Sequence, residues 1–126
     1  MTPFIDDIDH VQLAAPEGCE DAARQFFGHL LGLLEIEKPE ELRARGGCWF
    51  QLGPTQIHIG VQKDFRPAPK AHPAFCCQNI DALHDRLVRA GIECEWDTTR
   101  PDIRRFYCHD QWGNRLEFTE PTRLPI

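Results

Sequence analysis

Polar and apolar residues alternate along the segment Asp9-His10-Val11-Gln12-Leu13. Val11 and Leu13 are apolar, so an extended backbone turns them to one side and His10 and Gln12 to the other. The same alternation recurs at three more segments, where a residue with metal-binding chemistry lies opposite apolar neighbours. These residues are His58, His72 and Glu117. The shared alternation predicts that one cupped sheet collects all four side chains around a divalent metal ion.

The chain also repeats itself. His10 and His72 are 62 residues apart, and His58 and Glu117 are 59 apart. Each of the two segments 8–62 and 71–120 reads as a strand, a helix and then three shorter strands. A nearly constant spacing is what duplication of one structural unit produces. We therefore predict a single α+β domain over 1–126 that contains two tandem βαβββ modules.

Residue spacing predicts individual elements within the second module. A strand is expected over 71–77, with His72 inside it and Cys76 on the same face. A helix capped by Asn79 or Asp81 is expected to run to Ala90. Its buried face is predicted to consist of Ile80, Leu83, Leu87 and Val88. His84 on this helix, His29 on the first helix and His109 before a turn are expected to face solvent.

Composition restricts the class of protein. The net charge is −6 and no basic run is present, which argues against nucleic-acid binding. The first residues contain neither a basic segment followed by an apolar run nor a membrane span, so a soluble cytoplasmic protein is expected. The six cysteines form no C-x-x-C pair, and we interpret them as buried reduced thiols. Packing is the favoured role for Cys76 as well, although its face would let it line a cavity.

Taken together, these segments resemble the vicinal oxygen chelate superfamily, which includes glyoxalase I, fosfomycin resistance proteins, extradiol dioxygenases and bleomycin-binding proteins. The resemblance covers nearly the whole chain and rests on five stretches: Asp9 to Gln12, Gln56 to Val61, His72 to Phe75, Arg104 to Tyr107, and Gly113 to Phe118. In that superfamily the metal ligands come from the first, fourth, fifth and eighth strands. The resemblance therefore implies that His10, His58, His72 and Glu117 are ligands, and that the protein is a homodimer.

Neither the metal nor the reaction follows directly from the ligands. Imidazole and carboxylate together suit Zn, Ni, Fe, Mn or Co. Similarity to glyoxalase I implies a lyase, isomerase or transferase in which Glu117 is both ligand and catalytic base. Glyoxalase I, however, carries glutamate where this chain has His58. Fosfomycin-inactivating members have threonine two residues after the first histidine, where this chain has Gln12.

Two other functions stay open. His10, His72 and Glu117 also match the two-histidine, one-carboxylate arrangement of Fe(II) oxygenases, although ring-cleaving relatives are about twice as long. Bleomycin-binding relatives instead sequester an antibiotic without metal, and their ligand positions are usually not filled.

Substrate contacts are predicted on the same sheet face as the ligands. Gln12 shares the face of His10, one of Trp49 and Phe50 should point inward, and Phe106 or Tyr107 offers an aromatic wall. Arg104, Arg105 and Arg115 are the nearby cations and are candidates for binding a small anionic substrate, because a guanidinium recognises carboxylate or phosphate with paired hydrogen bonds. From these alternatives we select Gln12, Trp49, Arg104, Tyr107 and Arg115 as the predicted substrate-binding residues.

Overall fold

The computed structural model describes residues 3–121, so the two ends of the predicted 1–126 domain lie outside the described residues. Within them the chain alternates short strands and helices. Helix α1 begins as an α-helix and continues as a π-helix over Arg24–Leu30. The elements are β1 (His10–Ala15), α1 (Glu20–Ala23 and its π-helical continuation), β2 (Leu34–Ile36), α2 (Glu40–Arg43), β3 (Cys48–Leu52), β4 (Thr55–Val61), β5 (Ala74–Cys76), α3 (Ile80–Arg89), β6 (Glu95–Asp97), β7 (Ile103–His109) and β8 (Arg115–Pro121). No helix in residues 3–121 is long and apolar enough to cross a membrane.

The chain divides into two compact units between Phe65 and Arg66, inside the Pro-rich stretch 64–70. The first unit holds a four-stranded sheet in the order β1-β4-β3-β2. β1 runs parallel to β4, and the other neighbours are antiparallel. Helix α1 packs on the apolar face of this sheet, where the Phe27 and Phe50 rings lie 5.9 Å apart. The opposite face is left to His10, Gln12 and His58.

The second unit repeats this arrangement with the order β5-β8-β7-β6, and β5 is parallel to β8. Its core lies between the sheet and α3, where Ile80, Leu87, Phe106 and Leu116 are fully buried. The predicted α+β class and the two βαβββ modules are confirmed. The strands of the described residues form two four-stranded mixed sheets, one in each module, and not the one sheet that the alternation predicted, because β1 pairs with β4 and β5 with β8.

The prediction that His72 lies inside a strand is wrong, because β5 begins two residues later at Ala74. Pro73 has no N–H group to donate to a strand neighbour, which shortens the strand at this end. The Pro73 carbonyl still accepts a hydrogen bond of 3.1 Å from the Glu117 backbone N–H. His72 is therefore held beside β8 without being part of the sheet.

Two predictions about α3 are also wrong. Val88 was expected in the core but is 47% exposed, whereas Ile80 and Leu87 are fully buried on a single stripe of the helix. His84 was expected to face solvent, but it occupies this stripe and its ring lies 4.9 Å from Trp96 and 5.3 Å from Phe106. His84 thus packs in the core of the second unit, where the sequence pattern had placed the aliphatic side chain of Val88.

The six cysteines are all free thiols. Cys19, Cys48 and Cys108 are buried as predicted, and burial raises the pKa of Cys48 and Cys108 to about 12. Cys76 is exposed, contrary to the expectation of a buried packing role. Its short strand β5 is at the edge of the sheet, which leaves the thiol uncovered on one side.

Candidate functional site

Three aromatic rings are stacked on the polar face of the first unit. The His58 ring lies between His10, at 4.1 Å between centroids, and Trp49, at 3.8 Å and nearly parallel. The strands dictate this order, because His58 on β4 is directly opposite Trp49 on β3 and Gln12 on β1. Trp49 is therefore the member of the Trp49/Phe50 pair that shares a face with the histidines, while Phe50 is buried under α1.

Neighbouring oxygens fix the tautomers of these two histidines. His10 Nδ1 lies 2.9 Å from an Asp9 carboxylate oxygen, and His58 Nε2 lies 2.9 Å from the Gln56 side-chain oxygen. Each of these nitrogens must carry the proton, so the neutral rings keep a lone pair on His10 Nε2 and His58 Nδ1. Burial lowers the pKa of His58, and the nearby His10 and Lys38 lower it further. His58 is therefore neutral at pH 7, which is the form that binds a metal.

The second unit brings His72 and Glu117 together. His72 Nε2 lies 3.0 Å from Glu117 Oε1, and His72 Nδ1 lies 2.8 Å from the Lys70 carbonyl oxygen. The Lys70 carbonyl can only accept, so Nδ1 donates to it at this shorter distance, although Arg115 Nη1 also lies 3.4 Å from the same nitrogen. With the proton of a singly protonated ring on Nδ1, the lone pair of Nε2 faces the carboxylate. Two acceptors at this distance repel each other unless a proton or a cation joins them. The pair thus has the chemistry of two ligands that share a cation.

Glu117 is only 6% exposed, and its neighbours are suited to holding a carboxylate. Tyr107 is the strand partner of Glu117. Burial, and then the nearby Glu117 carboxylate, raise the pKa of Tyr107. Arg105 Nη1 lies 3.7 Å from Glu117 Oε2, and Arg105 Nη2 lies 3.2 Å from Asp97. Arg115 stacks on the Tyr107 ring at 4.2 Å. Tyr107 and Arg115, both predicted from sequence, are therefore close to Glu117, and Phe106 is in the core.

Arg104 does not join this group. Its guanidinium forms two hydrogen bonds, of 2.6 and 2.9 Å, with Asp81 on α3 and stacks on Trp96 at 4.8 Å. It lies on the helix-covered face of the sheet, opposite Glu117. Arg105 was considered from sequence but left out of the predicted substrate-binding residues. Alternation favours it over Arg104: Phe106 and Cys108 are core residues, so Arg105 and Tyr107 must share the other face.

A pocket of about 280 Å³ lies on the first unit next to the stacked rings. Its walls include two predicted substrate residues, Gln12 and Trp49, and two cations that the sequence pattern did not reveal, Lys38 and Arg45. Gly60 forms part of the pocket wall and gives room for Gln12, because a Cβ at Gly60 would lie 2.4 Å from Gln12 Nε2.

Each unit carries two side chains with the donor chemistry of divalent-metal ligands. Within residues 3–121, no group of three or more His, Cys, Asp or Glu side chains is arranged to hold an ion. The first unit offers a pair of imidazole nitrogens, and the second offers an imidazole nitrogen and a carboxylate oxygen. Asp9 and Lys70 contact His10 and His72 in the way that residues behind a metal site usually contact ligand histidines. This mixture of nitrogen and oxygen donors suits the borderline divalent metals.

No protein-family model matches the chain. A solved structure of a Bacillus anthracis protein assigned to the glyoxalase family is 53% identical, with a TM-score of 0.93, and the match covers 97% of this chain and 100% of that one. The chain therefore belongs to the glyoxalase family, within the vicinal oxygen chelate superfamily.

Two more distant relatives share the fold. The Arabidopsis thaliana protein glyoxylase I 4 is 23% identical over 117 residues, which is 84% of this chain and 67% of that protein. A mutant of FosX, a fosfomycin resistance protein of Listeria monocytogenes, is 19% identical with a TM-score of 0.78, and the match covers 94% of this chain and 95% of that one.

Proposed function

We propose that the protein is a divalent-metal-dependent enzyme that acts on a small, oxygen-rich substrate, and that its metal ligands are His10, His58, His72 and Glu117. The contact between His72 and Glu117 carries the proposal. A histidine lone pair and a buried carboxylate oxygen face each other at 3.0 Å, while the second histidine nitrogen is occupied by a backbone carbonyl. A shared divalent cation satisfies both atoms, as a shared proton does when no metal is bound.

The first unit supports the same proposal independently. His10 and His58 each have one nitrogen held by a side-chain oxygen and one left with a lone pair. Burial of His58 under the Trp49 ring keeps it neutral, so no proton has to leave before a metal binds.

Relatives support the metal more directly than they support the reaction. The FosX mutant was crystallised with Mn(II) and 1S,2S-dihydroxypropylphosphonic acid, which is small, anionic and rich in oxygen. We propose a ligand of the same general kind for this chain. The reaction we propose is that of a lyase, isomerase or transferase, with Glu117 as the proton acceptor.

The surroundings of Glu117 suit that role. When bound, the metal acts as a Lewis acid that polarises substrate oxygens and makes a neighbouring C–H or O–H group more acidic. Glu117 accepts the proton, while Tyr107 and Arg105 lie beside it. Arg115, stacked on Tyr107, offers a guanidinium to an anionic substrate group.

Metal content of the purified protein tests the proposal without a known substrate. Elemental analysis of the wild type should give about one equivalent of Zn, Ni, Fe, Mn or Co per chain. His72→Ala should weaken metal binding by more than the roughly 10- to 100-fold that is typical when a residue behind a ligand is lost. His29→Ala is the matched control, because it removes the same side chain from an exposed position on α1.

The same assay separates the competing functions. If His10→Ala or His58→Ala also abolishes metal binding, a single ion requires both pairs of ligands, His10 with His58 and His72 with Glu117. If instead two ions bind, and substitutions in each pair remove only one of them, the four-ligand assignment fails. A protein that neither contains nor takes up metal would favour an antibiotic-binding module. Iron together with substrate-dependent oxygen consumption would instead favour the dioxygenase. Dimerisation and cytoplasmic location stay predictions, for which sedimentation and cell fractionation are the direct measurements.

A further inference from the structure

The pocket on the first unit contains two cations without acidic partners. Among the described residues, neither Lys38 nor Arg45 takes part in an ion pair, although the chain has 20 acidic residues and a net charge of −6. The Lys38 ammonium donates to the Gly46 carbonyl, which leaves two of its three N–H groups available. Arg45 is exposed, with a guanidinium that can donate to an oxyanion in parallel pairs.

A second pocket, in the other unit, offers a comparison for the missing ion pairs of Lys38 and Arg45. That pocket measures about 360 Å³ and contains three arginines. Each of them is already neutralised: Arg100 by Asp102, Arg104 by Asp81 and Arg105 by Asp97. Every arginine of that pocket is thus paired with a carboxylate. The pocket beside Trp49 differs, since its two cations are available to a ligand.

The remaining walls define the kind of ligand. Gln12 lies against Gly60 and supplies an amide that can both donate and accept hydrogen bonds. Trp49 supplies an aromatic wall and also stacks on His58. A volume of about 280 Å³ is at the small end of the range for ligand pockets. It fits a molecule of a few carbon atoms that carries one oxyanion group.

We propose that this pocket binds the carboxylate or phosphate group of the enzyme's substrate, with Lys38 and Arg45 as the recognising residues. The inference rests on the proposed function, because it makes the pocket the anchoring part of a site whose ligands include His58. Gln12 is the strand neighbour of His58 and Trp49 is its stacking partner, so a substrate anchored here has its remaining oxygens near that histidine. Oxyanion recognition thereby restricts the enzyme to small anionic substrates.

Titration of the metal-free protein with inorganic phosphate, and separately with acetate, tests the proposal. A chelator removes metal first, so that the anions cannot bind through an ion. We expect saturable shifts of the Gly46 and Gly60 amide signals in ¹H–¹⁵N spectra with at least one of the two anions, and the anion that binds more tightly identifies the group. Arg45→Gln and Lys38→Gln should each weaken that binding at least about tenfold, the effect of losing a charge-assisted hydrogen bond.

Arg43→Gln is the control for charge alone. Arg43 lies on α2 two residues from Arg45, does not line the pocket and is 3.9 Å from Glu37. Its loss should change anion binding less than about twofold at about 0.15 M salt, where screening suppresses distant charges. Equal weakening by Arg43→Gln and Arg45→Gln, or no saturable binding of either anion, would overturn the proposal.

Failure of this inference can be told apart from failure of the proposed function. His72→Ala should lose metal yet keep anion binding, whereas Arg45→Gln should keep metal yet lose anion binding. Metal binding without anion binding in the wild type refutes only the pocket assignment. Anion binding by a protein that takes up no metal refutes only the metal assignment.

Discussion

Replacing Gly47 with alanine should destabilise the protein through a clash with backbone atoms that cannot move aside. Gly47 has φ +83°, and a Cβ at this position would lie 2.0 Å from the Ile59 carbonyl oxygen. Its N–H also donates a hydrogen bond of 2.6 Å to the Glu20 carboxylate. The substitution therefore forces a left-handed alanine, displaces β3 from β4 and lengthens a charge-assisted hydrogen bond.

These effects set the expected magnitude. A non-glycine residue in the left-handed region costs about 1–2 kcal/mol, and loss of a hydrogen bond to a charged group costs about 1.5–3 kcal/mol. Together they predict that the free energy of unfolding falls by roughly 3–5 kcal/mol. Gly32→Ala is the matched control, because Gly32 has φ +77° but a Cβ added there would meet nothing within 4 Å. It should cost only the conformational part, about 1–2 kcal/mol.

Urea denaturation of the chelator-treated proteins, followed by circular dichroism, measures both changes. Since the slope for a small protein is about 1–3 kcal/mol per molar urea, a difference of about 2 kcal/mol between the variants separates their midpoints by roughly 1 M. Equal midpoints for Gly47→Ala and Gly32→Ala would refute the reasoning, because the close contact with Ile59 would then have no energetic effect.

Two further predictions concern the same unit. The hydrogen bond from the Gly47 N–H is the main reason that the pKa of Glu20 is lowered from its ordinary value of 4.5. The ionised carboxylate therefore stabilises the fold above pH 4.5, and this stabilisation is lost as the pH falls through the folded-state pKa. Denaturation at several pH values should show the stability gap between the wild type and Glu20→Gln shrinking as the pH falls below 4.5. Parallel stability curves for the wild type and Glu20→Gln would contradict this. Phe27→Ala should lower the free energy of unfolding by about 3–5 kcal/mol because Phe27 is fully buried, while Leu34→Ala, at a 72% exposed position, should cost less than about 0.5 kcal/mol. Similar thermal midpoints for these two variants would show that α1 does not form the core of the first unit.

Alternation along the strands predicted much of the candidate site. His10, His58 and Glu117 occupy the polar faces of their strands because Ile57, Ile59, Leu116 and Phe118 are needed in the two cores. The pattern has a period of two, and burial of one face leaves no other register available. It also selects Trp49 over Phe50 and Tyr107 over Phe106.

Other features depend on contacts that sequence periodicity does not encode. His84 packs on Trp96 because the two meet across the second unit, and an imidazole at a helical position gives no sign of such a partner. Residue type alone does not distinguish Arg104 from Arg105, because both are cations. Only Arg105 lies on the same strand face as Tyr107. Lys38 and Arg45 come from a segment around the four-residue helix α2, which is too short to show a period.

The identical strand order of the two units has a consequence for how the protein could diversify. His58 is opposite Trp49, and Glu117 is opposite Tyr107, so the same backbone position carries a donor with an aromatic neighbour in both halves. After a gene duplication, each half keeps its scaffold while its side chains mutate independently. One half here carries two imidazoles stacked on a tryptophan, and the other carries an imidazole and a carboxylate beside an arginine. New catalytic chemistry can therefore arise in one half without rebuilding the other.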